Sequence, residues 1–192
     1  MKQENKLTKK IQVVLNDLKL GDEDKMSKAI LAIQSVGKAQ IIPDLVQLLH
    51  EDLSAKNRKE LIDVFNNLSD SDAIEYMMEE VNDDKNESLR SVLLNTMWNS
   101  KLDYSAFLPD FVLLAIQGDF TIALECLTII ENLDGPFSEQ LILECQLLLR
   151  EYMEDKSPKD AQKATIMSEI ALFVRDVEED DEDGFFDVET LD

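Results

Sequence analysis

The sequence predicts an all-α fold, a short α-solenoid of about four antiparallel helix pairs with one further helix at each end. Three observations predict it. Gly (5) and Pro (4) are scarce in 192 residues, which leaves few places for the turns of a many-stranded β protein; Leu, Ile, Glu, Lys, Met and Ala, mostly good helix formers, dominate instead. Apolar residues recur three and four apart, as a single helical stripe requires. Finally, IIPDLVQLL at 41–49 is echoed by FLPDFVLLA at 107–115, with Pro109 standing where Pro43 stands in the first copy. The offset between the copies is two periods of about 33 residues, a repeat length that fits stacked α-hairpins covering one another's apolar faces.

The elements follow in order. Residues 5–19, NKLTKKIQVVLNDLK, predict a first helix, and LGDED interrupts it. Met26, Ala29, Ile30, Ile33 and Val36 make the stripe of the next, with Gly37 as its C-cap. Pro43 then sits in a first turn, where its missing N–H costs nothing, and Asp44 favours the positive end of the helix dipole. Ser54 is the predicted N-cap of a helix striped by Leu61, Ile62, Val64, Phe65 and Leu68. Helical segments at 71–83, 86–100, 103–119, 119–135 and 136–155 follow, and Ser157 and Pro158 open a last helix ending near Val177. FLPDFVLLAI is apolar on nearly every side, so its helix is expected to be central. Linkers of two to six residues require antiparallel neighbours. The pairs span about 22–52, 54–83, 86–118 and 119–155, within one domain of residues 1–177.

Charge narrows the function. The net charge is −22, and residues 176–192 alone carry ten acids and no base. Residues 1–175 still hold 31 acids against 19 bases, so no basic footprint for nucleic acid exists. Lys2, Lys6, Lys9 and Lys10 read as a solvated face. No apolar run approaches the roughly 18 residues of a membrane span, and the start is amphipathic rather than a secretory leader. The expectation is a soluble, cytoplasmic monomer. Cys126 and Cys145 lie in apolar helical patterns, as buried thiols of a reducing compartment do.

The order of helix, short turn and [IL]-P-D-[LF]-V-x-L helix resembles a HEAT-type repeat, most closely at Ile42-Pro43-Asp44-Leu45-Val46 and Leu108-Pro109-Asp110-Phe111-Val112. The resemblance covers about residues 22–155. The Pro-Asp is missing from the second and fourth pairs, and the arginine often found in the family's first helix appears as Arg58 and Arg90. The resemblance implies a right-handed solenoid whose second helices line a concave face where partners bind.

Catalytic chemistry finds little material. The one histidine, His50, stands near a helix C-terminus, where it meets the dipole. One histidine and two separated cysteines make no usual zinc or iron site, and the five isolated glycines form no phosphate loop. DEDKM and NDDKNES lack the glycine and glutamate of a calcium loop. No catalytic residue, metal or cofactor is therefore expected, and the chain is expected not to be an enzyme. What is left is a surface. Asp44, Gln47, Glu75, Glu79, Asp110, Glu139 and Glu144 are polar positions of the second helices and would form an acidic strip for a basic or helical protein partner. Trp98 and Tyr104, flanking a turn, read as packing residues. In the acidic tail 178–192, Phe185, Phe186 and Leu191 suggest a docking motif, since a purely solvating tail needs no Phe-Phe. The alternatives are an accessory enzyme of the bilin-lyase kind within the HEAT-like group, or an acidic mimic of nucleic acid.

Overall fold

The computed structural model describes residues 23–36, 39–157 and 160–184, side chains excepted at 34–36 and 179–184. Nine α-helices and no strand occur among the described residues. The predicted helix at 5–19, the Gly37 cap, Pro158 and the tail residues Phe185, Phe186 and Leu191 lie outside them. The helices divide between two compact units, Met1–Leu102 and Asp103–Asp192. The third predicted pair, 86–118, has one helix in each.

The first unit holds α1 (Glu23–Val36), α2 (Ile42–Leu49), α3 (Ala55–Asn66), α4 (Ala73–Asn82) and α5 (Arg90–Asn99). Alternate helices pack together: α1 on α3 and α3 on α5 in one row, α2 on α4 in the other. Ile30, Ile42, Leu45, Leu49, Leu61, Phe65, Met77 and Leu93 are among the unit's most enclosed side chains, none more than 1% exposed. Ser54 caps α3 as expected, its Oγ accepting from the Asn57 amide at 3.2 Å. Asn57 is itself buried, and its Nδ2 donates to Ser27 Oγ (3.1 Å) and to the carbonyl of Glu23 (3.2 Å), which ties α3 to α1.

The second unit holds α6 (Leu108–Gln117), α7 (Phe120–Ile130), α8 (Glu139–Glu154) and α9 (Ala161–Gly184). Helix α6 packs on all three of the others, the central place its apolar sequence predicts. Tyr104 is buried with its ring edge-on to Phe111, centroids 6.1 Å apart, whereas Trp98 of the first unit stays 40% exposed. Of the two aromatics expected to pack, Tyr104 alone is fully enclosed. Caps come from Asp119 to the Ile122 amide (2.9 Å) and Ser138 to the Leu141 amide (3.4 Å).

Two expectations about α9 need correction. Its N-cap is Asp160, whose Oδ1 accepts from the Lys163 amide at 2.8 Å, while the Ser157 hydroxyl turns to the Asp155 carboxylate. A carboxylate accepts well from the N3 amide and also meets the positive end of the dipole. The helix also runs past Val177 to Gly184, because no breaker intervenes in EEDDED.

The repeated motif is longer in space than in sequence. Both Pro-containing helices are entered through one turn of 3₁₀ helix, Ala39–Ile41 before α2 and Ser105–Phe107 before α6, at the same offset as the two prolines. In each, the proline is the second helical residue. A 3₁₀ turn tightens the entry and leaves that position free of any need for an N–H.

Candidate functional site

Period and burial together decide which residues of α2 and α4 face water. On α2, Ile42, Leu45, Val46, Leu48 and Leu49 are buried, so Asp44 and Gln47, three apart, are held outward on one face. On α4, burial of Ala73, Met77, Met78 and Val81 leaves Glu75 and Glu79, four apart, on the exposed face. Because α2 packs on α4, the structure brings these four predicted residues onto neighbouring helices. None of the carboxylates of Asp44, Glu75 and Glu79 forms an ion pair among the described residues.

A pocket of about 370 Å³ opens beside Glu75. The 3₁₀ turn contributes Gln40 and Ala39, the turn before α4 contributes Asp70, Ser71 and Asp72, and α4 contributes Glu75 and Tyr76. Asp70 Oδ1 accepts from the Asp72 amide at 3.1 Å, an Asx turn that fixes the rim. Three carboxylates, a hydroxyl and a phenol ring offer acceptors and an aromatic face, so the pocket suits a cationic side chain. Apart from Glu75, these residues escaped the sequence reading. The acid-serine alternation SDSD at 69–72 was the signal available for them.

The scaffold behind this face is braced by polar groups. His50 caps the end of α2, and its Nε2 donates to Asn86 Oδ1 at 2.8 Å. Buried Asn86 passes the contact on, its Nδ2 donating to Glu80 O (2.9 Å) and Glu80 Oε2 (2.8 Å). His50 is thus a positioning group tied to a buried amide. Arg58 and Arg90 perform one task twice. Arg58 Nη1 donates to Leu49 O at 3.0 Å and Arg90 Nε to Val81 O at 2.9 Å, each reaching the last turn of a helix nine residues back. The amides that would continue the helical pattern are diverted: Leu53 N–H donates to Glu51 O, and Lys85 N–H to Asp83 Oδ1.

The second unit treats its three predicted residues differently. Asp110 is half-buried on α6, and Glu144 is exposed on α8. Both stand close to Cys145, whose thiol is pushed from 9.0 to about 12, first by burial and then by the neighbouring carboxylates of Glu144 and Asp110. Glu139 lies five residues before Glu144, about 140° away around the helix, so the two do not share a face. Lys163 closes α6, its ammonium donating to Ile116 O and Gly118 O, each at 2.6 Å, and burial there lowers its pKa. Cys126 and Cys145 are both buried and not joined in a disulfide. Among the described residues no three His, Cys, Asp or Glu side chains converge on a metal position, and no helix is long and apolar enough to cross a membrane.

Comparison of the chain with family models, curated proteins and solved structures returned no match.

Proposed function

We propose that the chain is a non-catalytic protein-binding module of the HEAT-repeat kind, and that its acidic α2–α4 face receives a basic protein or helix. The repeat assignment is supported by the two arginine clasps of Arg58 and Arg90, one repeat apart in sequence and alike in geometry, and by the 3₁₀-entered Pro-Asp helices. In each unit alternate helices pack on one another, as they do along a short solenoid of antiparallel pairs. The observation that carries the binding role is the acidic pocket of Asp70, Asp72, Glu75 and Tyr76, with exposed Glu79 further along α4 and exposed Asp44 and Gln47 on neighbouring α2. A lysine or arginine entering it exchanges water for several charge-assisted hydrogen bonds, and the surrounding negative field speeds encounter. Buried thiols and the acidic surface suit a reducing, cytoplasmic setting.

The test is capture of basic proteins from a lysate by the immobilised full chain at low and high salt, beside the Glu75→Lys, Glu79→Lys double variant. Capture is expected to fall steeply between about 0.05 and 0.5 M salt, as the Debye length shrinks, and to vanish in the double variant. Salt-insensitive capture, or capture unaffected by the charge reversals, excludes this mechanism. A chromophore-bearing protein in the eluate points instead to bilin-lyase chemistry, and a set confined to nucleases or DNA-binding proteins to nucleic-acid mimicry.

A further inference from the structure

We propose that the open face of α6 and α8, in the second unit, docks an amphipathic helix of a partner protein, one with a leucine-like stripe and lysine or arginine beside it. Nothing in this proposal depends on α2 or α4, so it stands apart from the binding role above. The face follows from what burial leaves over. Every position of α6 is buried except Asp110, Leu113, Ile116 and Gln117, and Asp110, Leu113 and Gln117, three and four apart, share one side. On α8, burial of Ile142, Cys145 and Leu149 turns Leu143, Leu147 and Glu151, each four apart, outward. Leu113 is 38% exposed, Leu143 56% and Leu147 48%. Helix α6 packs on α8, and Asp110 and Glu144 both stand close to Cys145, so the two open faces adjoin along that seam. One exposed leucine needs no explanation, but three on adjoining helix faces mark a contact surface. Packed helices lie about 8–10 Å apart, and the furrow between them is the width a third helix fills.

Charge selects the occupant. The two helices carry five carboxylates, one on α6 and four on α8, against a single base, Arg150. That arginine lies on the edge toward α9, where Glu154 and Glu178 accompany it. Glu144 and Glu151 stand beside the leucines and form no ion pair among the described residues. A helix that buries leucines in the furrow and lays lysine or arginine along its edges matches both the apolar stripe and the carboxylates. A second copy of the same face is a poor match, because one arginine on each cannot offset five acids on the other. An anionic lipid surface is repelled for the same reason.

The experiment measures, by fluorescence anisotropy, binding of a labelled leucine–lysine peptide of about 15 residues, with its leucines at helical spacing, to the full chain. The controls are a scrambled peptide of the same composition and a version with glutamate in place of lysine. The patterned peptide is expected to bind at least about tenfold more tightly than the scrambled one, and the glutamate peptide not to bind. Leu143→Ser, Leu147→Ser is expected to remove the preference for the patterned peptide, and Glu144→Lys, Glu151→Lys to weaken its binding at least about tenfold. All four side chains are exposed, so thermal melting of both variants is expected to match that of the parent chain, and the charge reversals keep the face testable if the serine variant unfolds. Glu75→Lys, Glu79→Lys in the first unit is expected to leave the preference unchanged, which separates this face from the α2–α4 role. Equal binding of patterned and scrambled peptides overturns the proposal, as does a preference that survives both α8 variants or is lost with Glu75 and Glu79. An oligomer that grows with protein concentration and disappears in Leu143→Ser, Leu147→Ser marks a second copy as the occupant and overturns it too.

Discussion

Replacing Arg90 by methionine keeps the aliphatic stem and removes the one group that reaches Val81 O. The cost follows from where that carbonyl lies. Val81 is fully buried, and the Lys85 amide that would serve its carbonyl donates to Asp83 instead. Arg90 is itself mostly covered, its side chain 15% exposed, while its Asp84 partner at 3.6 Å stands entirely in water. The ion pair thus contributes little, and the charge-assisted hydrogen bond contributes most. Its loss is expected to cost about 2 kcal/mol, or ~4–8 °C in Tm if the chain unfolds as one body. Urea titration and thermal melting followed by circular dichroism measure it. Arg58→Met is expected to match it, since Leu49 is equally enclosed, whereas Asp84→Asn should leave the midpoint where it was. The reasoning is refuted if Arg90→Met costs less than about 0.5 kcal/mol, the scale of an ordinary surface substitution, or if Asp84→Asn costs as much.

Two further expectations rest on single positions. The Cys145 thiol holds its proton to about 12 when folded, against an ordinary 9.0. Between those values the unfolded chain has lost that proton and the folded chain has not, so stability should fall as pH rises through the window. A Cys145→Ala chain should show a shallower fall in urea midpoint between pH 9 and 11, and a thiol reagent at pH 8 should find neither cysteine until urea is added; immediate labelling contradicts the burial. Gly118→Ala places a Cβ 2.4 Å from Ile122 Cγ2 and 2.5 Å from Ile122 Cβ, at a backbone conformation any residue adopts. The expected loss is about 1–3 kcal/mol by chemical denaturation, and an unchanged midpoint means the start of α7 yields more easily than its packing suggests.

Local signals were legible wherever they concern one stretch of backbone. Ser54 reads as a cap because its hydroxyl needs only the amide three residues on, and Pro43 and Pro109 read as helix openings because the missing N–H is a property of the residue itself. Where a second local competitor existed, the reading slipped: Asp160 took the cap expected of Ser157, and an unbroken acidic run carried α9 to Gly184. Of the seven acidic-strip residues, Asp44, Gln47, Glu75 and Glu79 share neighbouring helices, since their spacings of three and four follow the helical period. Glu139 and Glu144, five apart, do not share a face.

By itself, then, the sequence determined an all-helical chain, most of its helix boundaries and the Pro-Asp echo, because 3.6-residue periodicity, caps and prolines act within a turn or two of backbone. The tertiary structure decided the rest. It chose which carbonyls Arg58, Arg90 and Lys163 would satisfy, which carboxylates would crowd Cys145, and which acids would gather with Tyr76 around a pocket. The contacts of the three cations join groups nine to 47 residues apart along the chain, which meet only after helices dock. No periodicity records which open face a docked helix leaves behind.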